Sequence, residues 1–139
     1  MTILDTNVVS ALMYDPPDIN VVDWLNRQVP SSIWTTAVTV LEIQTGLRSM
    51  PVGKRQAGLA QVFERILDGM EHRVAVFDEE AARLSADLNA VRQKKGRVVE
   101  IRDTMIAGIV LAHRASLATR NVTHFEDIGA TVVNPWISQ

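Results

Sequence analysis

The 139-residue chain contains no cysteine. That excludes disulfides, thiolate nucleophiles and zinc–thiolate centres, and it fits a reducing cytosol, the expected location. Positive charge is not in excess: 14 Lys and Arg against 16 Asp and Glu leave a formal net charge of −2. No global field marks a nucleic-acid binder, so any such role has to rest on local patches. No apolar run is long enough for a signal peptide or a membrane span. There is no internal repeat and no low-complexity tract. What remains is an ordinary globular composition, 47% hydrophobic and 22% charged, in a length that suits one domain, 1–139, with a real core.

The pattern alternates short β-prone runs with helical ones. The β-prone run that opens the chain at Met1-Thr2-Ile3-Leu4 reads as a buried strand ending at Leu4 or Asp5, and Asp5, Thr6 and Asn7 are residues that end strands and cap helices. Helices are predicted over Val8–Met13, from a cap at Asp18 through Val21, Val22, Leu25 and Val29, over Thr39–Met50, and over Lys54–Leu67. A further helix starts at Asp78-Glu79-Glu80, buries Ala81, Leu84, Leu88 and Val91, and stops at Gly96. Val98–Ile101 reads as extended, and an apolar helix over Thr104–Ala115 is headed by Asp103. Strands are expected at Ile33–Thr36, Val74–Phe77, Leu117–Thr119 and Thr131–Val133. The alternation predicts an α/β protein: a parallel sheet with helices on both faces.

Three acids stand out. Asp5 ends the first strand, where open α/β sheets bind ligands. Glu42 shares a helix stripe with the small or polar Thr39, Gly46 and Ser49, and Asp103 precedes an apolar helix. Each also has an ordinary role open to it: a cap for Asp5 and Asp103, a solvated face for Glu42. If they converge, two carboxylates about 4 Å apart repel by roughly 4 kcal/mol at an effective dielectric of 20. A hard divalent cation relieves that repulsion most simply. An all-oxygen donor set selects Mg2+ or Mn2+ over zinc, and such an ion suits phosphodiester hydrolysis.

Several segments together resemble the PIN-domain ribonucleases, and more closely the VapC/FitB-type toxins of bacterial toxin–antitoxin pairs. They are Ile3-Leu4-Asp5-Thr6-Asn7, Val40-Leu41-Glu42-Ile43 with Gly46, Asp103 with Ile106-Ala107, the run Ala118–Phe125, and the tail Asn134-Pro135-Trp136. The resemblance spans the chain in order. It implies a three-layer α/β/α fold with a five-stranded, mainly parallel sheet. It further implies a Mg2+- or Mn2+-dependent endoribonuclease with a cognate antitoxin, an RNA substrate, and a homodimer or larger assembly with the antitoxin. Asp5, Glu42 and Asp103 are then metal ligands, and a polar neighbour orients water. Many relatives carry a fourth acid after strand 4; this chain has Asn121 there, and His124 where some relatives have Asp. Asn121 can hold water but brings no charge. Glu100 and Asp127 are the nearby acids that could substitute.

Arg92, Lys94, Lys95 and Arg97 form a basic run that suits either phosphate or a helix C-terminus. Arg48, Lys54 and Arg55 could flank the site from the Glu42 side, and Arg120 adjoins Asn121. His124 suits either a base or a surface position, and Trp24, Trp34 and Trp136 suit either base stacking or packing. Two other classes compete. One is a catalytically inactive PIN-like module that acts by partner binding, which Asn121 keeps open. The other is an Asp-nucleophile phosphatase, against which Asn7 stands where a second acid would be expected.

Overall fold

A computed structural model describes residues 1–137. Five short strands form one sheet: β1 (Thr2–Leu4), β2 (Ile33–Thr36), β3 (Val74–Ala75), β4 (Ser116–Ala118) and β5 (Val132–Val133), in the order β3-β2-β1-β4-β5. Every pairing is parallel. Six α-helices connect them: α1 (Thr6–Met13), α2 (Ile19–Asn26), α3 (Ala37–Arg48), α4 (Lys54–Gly69), α5 (Glu79–Lys94) and α6 (Ile101–Ala112).

Strand residues alternate between faces, and the central strand shows this directly. Leu4 joins one core with Val8, Val9, Val21, Ile43, Phe63 and Leu67, contributed by α1 to α4. Its neighbour Ile3 joins the other core, with Ala81, Ile106, Ile109, Val110, Leu117 and Phe125, around α5 and α6. The sheet is thus sandwiched between helical layers, the expected α/β/α architecture. Helices α5 and α6 approach closely at Gly108: a Cβ there would lie 1.9 Å from the Ser85 hydroxyl and 2.5 Å from the Ala81 carbonyl oxygen.

Several sequence-based boundaries shift. Helix α1 starts at Thr6, because Asp5 caps it by accepting from the Thr6 N–H. Asp18 caps α2 as expected, but that helix ends at Asn26 and leaves Val29 exposed. Strand β3 stops at Ala75, and Val76 is exposed. Helix α6 begins at Ile101, within the segment expected to be extended, and its cap is Glu100, not Asp103. Val91 was expected inside; it is exposed, and the inward positions of α5 are Ala81, Ser85 and Arg92.

A candidate metal centre at the switch point of the sheet

From β1 the chain runs outward through β2 to β3, then returns to the opposite side of β1 to lay down β4 and β5. The crevice between the C-terminal ends of β1 and β4 is therefore the topological switch point, the expected ligand site of an open parallel sheet. Asp5 lies there, and its backbone N–H donates to the Ala118 carbonyl at 2.9 Å. Asp5, Glu42, Asp103 and Asn121 all line one cavity of about 390 Å³, together with Thr6, Asn7, Tyr14, Asp18, Arg120 and Trp136.

Asp5 is 3% exposed. Its Oδ1 accepts from the Thr6 N–H at 2.8 Å, and its Oδ2 accepts from the Thr119 hydroxyl at 2.7 Å and, longer, from the Asn7 amide at 3.4 Å. No Lys, Arg or His forms an ion pair with it among the described residues. Burial pushes its carboxyl up to about 6; the bonds from Thr119 and Thr6 oppose that rise, and the nearby charges of Asp103 and Glu42 add to it. A buried carboxylate without a cationic partner, pressed by two more acids, is an incomplete electrostatic arrangement that a bound cation completes.

Glu42 is held from below by a run of hydroxyls. Thr36 donates to Thr39 at 3.4 Å, Thr39 and Thr6 share a bond of 3.0 Å, and Thr6 donates to Glu42 Oε1 at 3.0 Å. Arg102 approaches the other Glu42 oxygen at 3.9 Å. Asp103 Oδ2 lies 2.8 Å from His124 Nδ1. With these partners engaged, no three acidic or imidazole groups stand close enough to enclose one ion among the described residues. The donor chemistry nevertheless suits a hard divalent cation: each of the three acids faces a shared cavity and all their donor atoms are oxygen.

The remaining candidates separate clearly. Asn121 is exposed on the cavity rim, and its N–H donates to the Thr119 hydroxyl at 3.0 Å. Asp127 does not substitute for a fourth acid: it pairs with Arg92 at 2.8 Å, and that bond holds its carboxyl below the usual range. Glu100 is occupied as the α6 cap and by Arg102 at 2.9 Å. The basic run is divided between core and surface. Arg92 is 1% exposed and donates to Asp127, Thr104 and the His124 carbonyl. Arg97 is drawn to Thr123, Glu126 and Asp127. Lys94 and Lys95 are left to solvent at the end of α5. Arg48, Lys54 and Arg55 are exposed near the α3–α4 junction, away from the cavity lining. Trp24 packs in the core, Trp34 packs beside the α5–α6 core, and Trp136 reaches the cavity.

Sequence reasoning missed the supports. Thr6, Thr39 and Thr119 orient the acids, and Asn7 bridges Asp5 to the Arg120 N–H, which its Oδ1 accepts at 3.2 Å. The available signal was the density of Thr and Asn at strand ends: Thr6-Asn7 after β1, Thr35-Thr36 at the end of β2 and Thr119 after β4.

The PIN domain family profile matches residues 2–130. The chain belongs to the PIN-domain family. It is similar to the VapC ribonuclease Y4jK of Sinorhizobium fredii, 38% identical over 98% of this chain and 98% of that protein. It is similar to toxin FitB of Neisseria gonorrhoeae, 31% identical over 98% of this chain and 99% of that one. Among solved structures, FitAB bound to the IR36 DNA fragment contains a chain that superposes with a TM-score of 0.90 at 30% identity, covering 100% of this chain and 98% of that one. The expected family is therefore correct, and the PIN domain fills nearly the whole chain.

Proposed function

We propose that this protein is the toxin of a toxin–antitoxin pair, a metal-dependent endoribonuclease that hydrolyses RNA phosphodiester bonds and is silenced by a cognate antitoxin. The observation that carries the reading is the convergence of Asp5, Glu42 and Asp103, from three separate elements, on one cavity at the switch point of the sheet. The similarity to a VapC ribonuclease and to toxin FitB supports the activity, and the FitAB complex supports a protein partner.

In this reading Asp5, Glu42 and Asp103 hold a Mg2+ or Mn2+ ion. The ion supplies activation of water and charge stabilisation at a phosphoryl oxygen. The chain supplies the rest. The Thr6 N–H and the Thr119 hydroxyl fix both oxygens of Asp5, so its remaining lone pairs keep one direction. The Thr36–Thr39–Thr6 hydroxyls set Glu42, and His124 sets Asp103 while leaving Oδ1 free of that bond. Asn121, a neutral amide on the rim, orients water near the reacting phosphate. The protein acts as a homodimer, alone or within an antitoxin assembly.

The test is cleavage of single-stranded RNA by rigorously purified protein, with Mn2+, with Mg2+ and with chelator. Asp5→Asn and Asp103→Asn should each lower cleavage by orders of magnitude, because ligands of one ion act as a unit. Full activity of Asp103→Asn would remove the assignment. Metal binding with no cleavage of any RNA would favour an inactive, partner-binding module.

A further inference from the structure

We propose that Arg120, braced on Trp136, is the subsite that takes a backbone phosphate of the RNA strand; the inference rests on the nuclease reading. Among the described residues, Arg120 is the only cationic side chain lining the acidic cavity. It is exposed, and it forms no ion pair within 4 Å among the described residues, although Asp5, Asp18, Glu42 and Asp103 line the same cavity. It is thus not a counter-ion for the acids.

Its guanidinium instead stacks over the Trp136 ring, with Cζ 5.0 Å from the centroid. That ring is itself fixed. The indole N–H donates to Asp18 Oδ2 at 3.1 Å, and the Trp136 backbone N–H donates to the Asn134 side chain at 3.0 Å. The other Asp18 oxygen caps α2 through the N–H groups of Asn20 and Val21. The carboxylate nearest this stack is therefore spent on holding the ring, and the guanidinium is left unpaired. The backbone at Arg120 is pinned too, by the bond from its N–H to Asn7, the residue that also contacts Asp5.

Stacking occupies the face of a guanidinium and leaves its N–H edge open, and that edge matches a phosphate bidentately. A fork held in place loses less freedom on binding than a mobile one. Acids that hold a cation and an unpaired fork on the same cavity wall fit a polyanion that must lie beside the cation. Without the fork, the carboxylates of this cavity would repel the strand.

The test is fluorescence anisotropy with a short single-stranded RNA, in the Asp5→Asn protein so that the strand survives. Adding Arg120→Ala should raise Kd about 10-fold and reduce the salt slope by about 0.7, the loss of one phosphate contact on a single strand. Arg120→Lys should keep the slope and still lose several-fold in affinity, since it keeps charge without the fork. Trp136→Ala should weaken binding with the slope intact, because the charge stays and the brace goes. Arg120 is exposed, so melting curves of its variants should match the parent. Unchanged Kd and slope in Arg120→Ala would overturn the subsite while leaving the nuclease reading standing. If the parent binds no RNA and the wild-type protein cleaves none with Mn2+, the nuclease reading falls and the subsite falls with it.

Discussion

Asp5→Asn should make the metal-free protein more stable at neutral pH and less stable at acid pH. Asp5 titrates at about 6 in the fold, against 3.8 for an unperturbed carboxyl. Ionising it in the folded state therefore costs about 3 kcal/mol more than in the unfolded chain. A raised carboxyl binds its proton more tightly when folded. The associated stability is full below about pH 4 and is lost as pH rises through about 6. The amide has no such loss. It has a different cost: its nitrogen replaces Oδ2, which accepts from both Thr119 and Asn7. The Thr119 hydroxyl can turn to accept, but the Asn7 amide then meets another donor. That mismatch costs about 1–2 kcal/mol at any pH.

The two terms give a crossing. In chelator at pH 7.5 the variant should be about 1–2 kcal/mol more stable, or about 3–6 °C higher in Tm for a domain of this size. At pH 4 it should be less stable by a similar amount. Titrating groups far from the cavity cancel in the difference between the two proteins; Asp103 and Glu42, whose charges act on Asp5, do not. Millimolar Mn2+ should raise the Tm of the wild type by mass action and leave the variant nearly unmoved. The assay is thermal unfolding from pH 4 to pH 8, with chelator and with Mn2+. A difference in Tm that stays the same at both ends of the range would refute the reasoning, because the Asp5 charge would then carry no excess cost.

Three further outcomes can be measured. Arg92→Met leaves Asp127 with only the longer 3.8 Å approach of Arg97 and frees Thr104 Oγ1 and the His124 carbonyl, and it should cost about 3 kcal/mol in chemical denaturation. Because Arg92 holds the Asp127 carboxyl low, that part of the stability should be present at neutral pH and fade as pH falls below the ordinary carboxylate range; the variant should lack this acid-side loss. Gly108→Ala should cost about 1–3 kcal/mol by forcing α5 and α6 apart, and Ser85→Ala should not rescue it, since the Ala81 carbonyl oxygen still lies 2.5 Å from the new Cβ. Asn121→Asp should strengthen a second Mn2+ site in calorimetry and lower metal-free stability by less than about 1 kcal/mol, because the added charge is exposed on the rim.

What the sequence made legible has a common cause: it was local. Asp18 was readable as a cap because a cap bonds N–H groups only a few residues on, and it does so; Asp78 was readable as an acid at a helix start, and it caps α5 through the Ala81 N–H. Helix α5 shows the opposite case. Apolar spacing put Val91 inside, yet the next position, Arg92, is the buried one. A cation after an apolar stripe reads as solvated unless its partner is visible, and Asp127 lies 35 residues downstream in a loop. The same limit applies to Asp103. Its place at the head of α6 was readable to within one turn, but the 2.8 Å bond to His124 depends on how the segment after β4 folds back.

The edge at which the acids gather needed less information than their contacts did. In a parallel sheet, a helix that follows a strand starts at the carboxyl edge and returns to the opposite edge. A helix that leads into the next strand therefore also starts at the carboxyl edge. Asp5 ends β1, Glu42 lies in the second turn of the helix after β2, and Asp103 lies in the first turn of the helix before β4. The helix directly after β2 and the helix that leads directly into β4 each start at that edge, which carries all three acids there whichever strands are neighbours, although two helices lie in each of these connections. Bringing them together takes one more fact, the order that sets β1 between β2 and β4. That order rests on right-handed crossovers and on two cores that use opposite faces of a three-residue strand, Ile3 to one side and Leu4 to the other. The charge cluster is thus a consequence of topology. The hydroxyls of Thr6, Thr39 and Thr119 are the local response to it: short, neutral donors that hold two of the three carboxylates without neutralising them. A cationic partner in those places would instead occupy the charge that the proposed metal ion needs to find open.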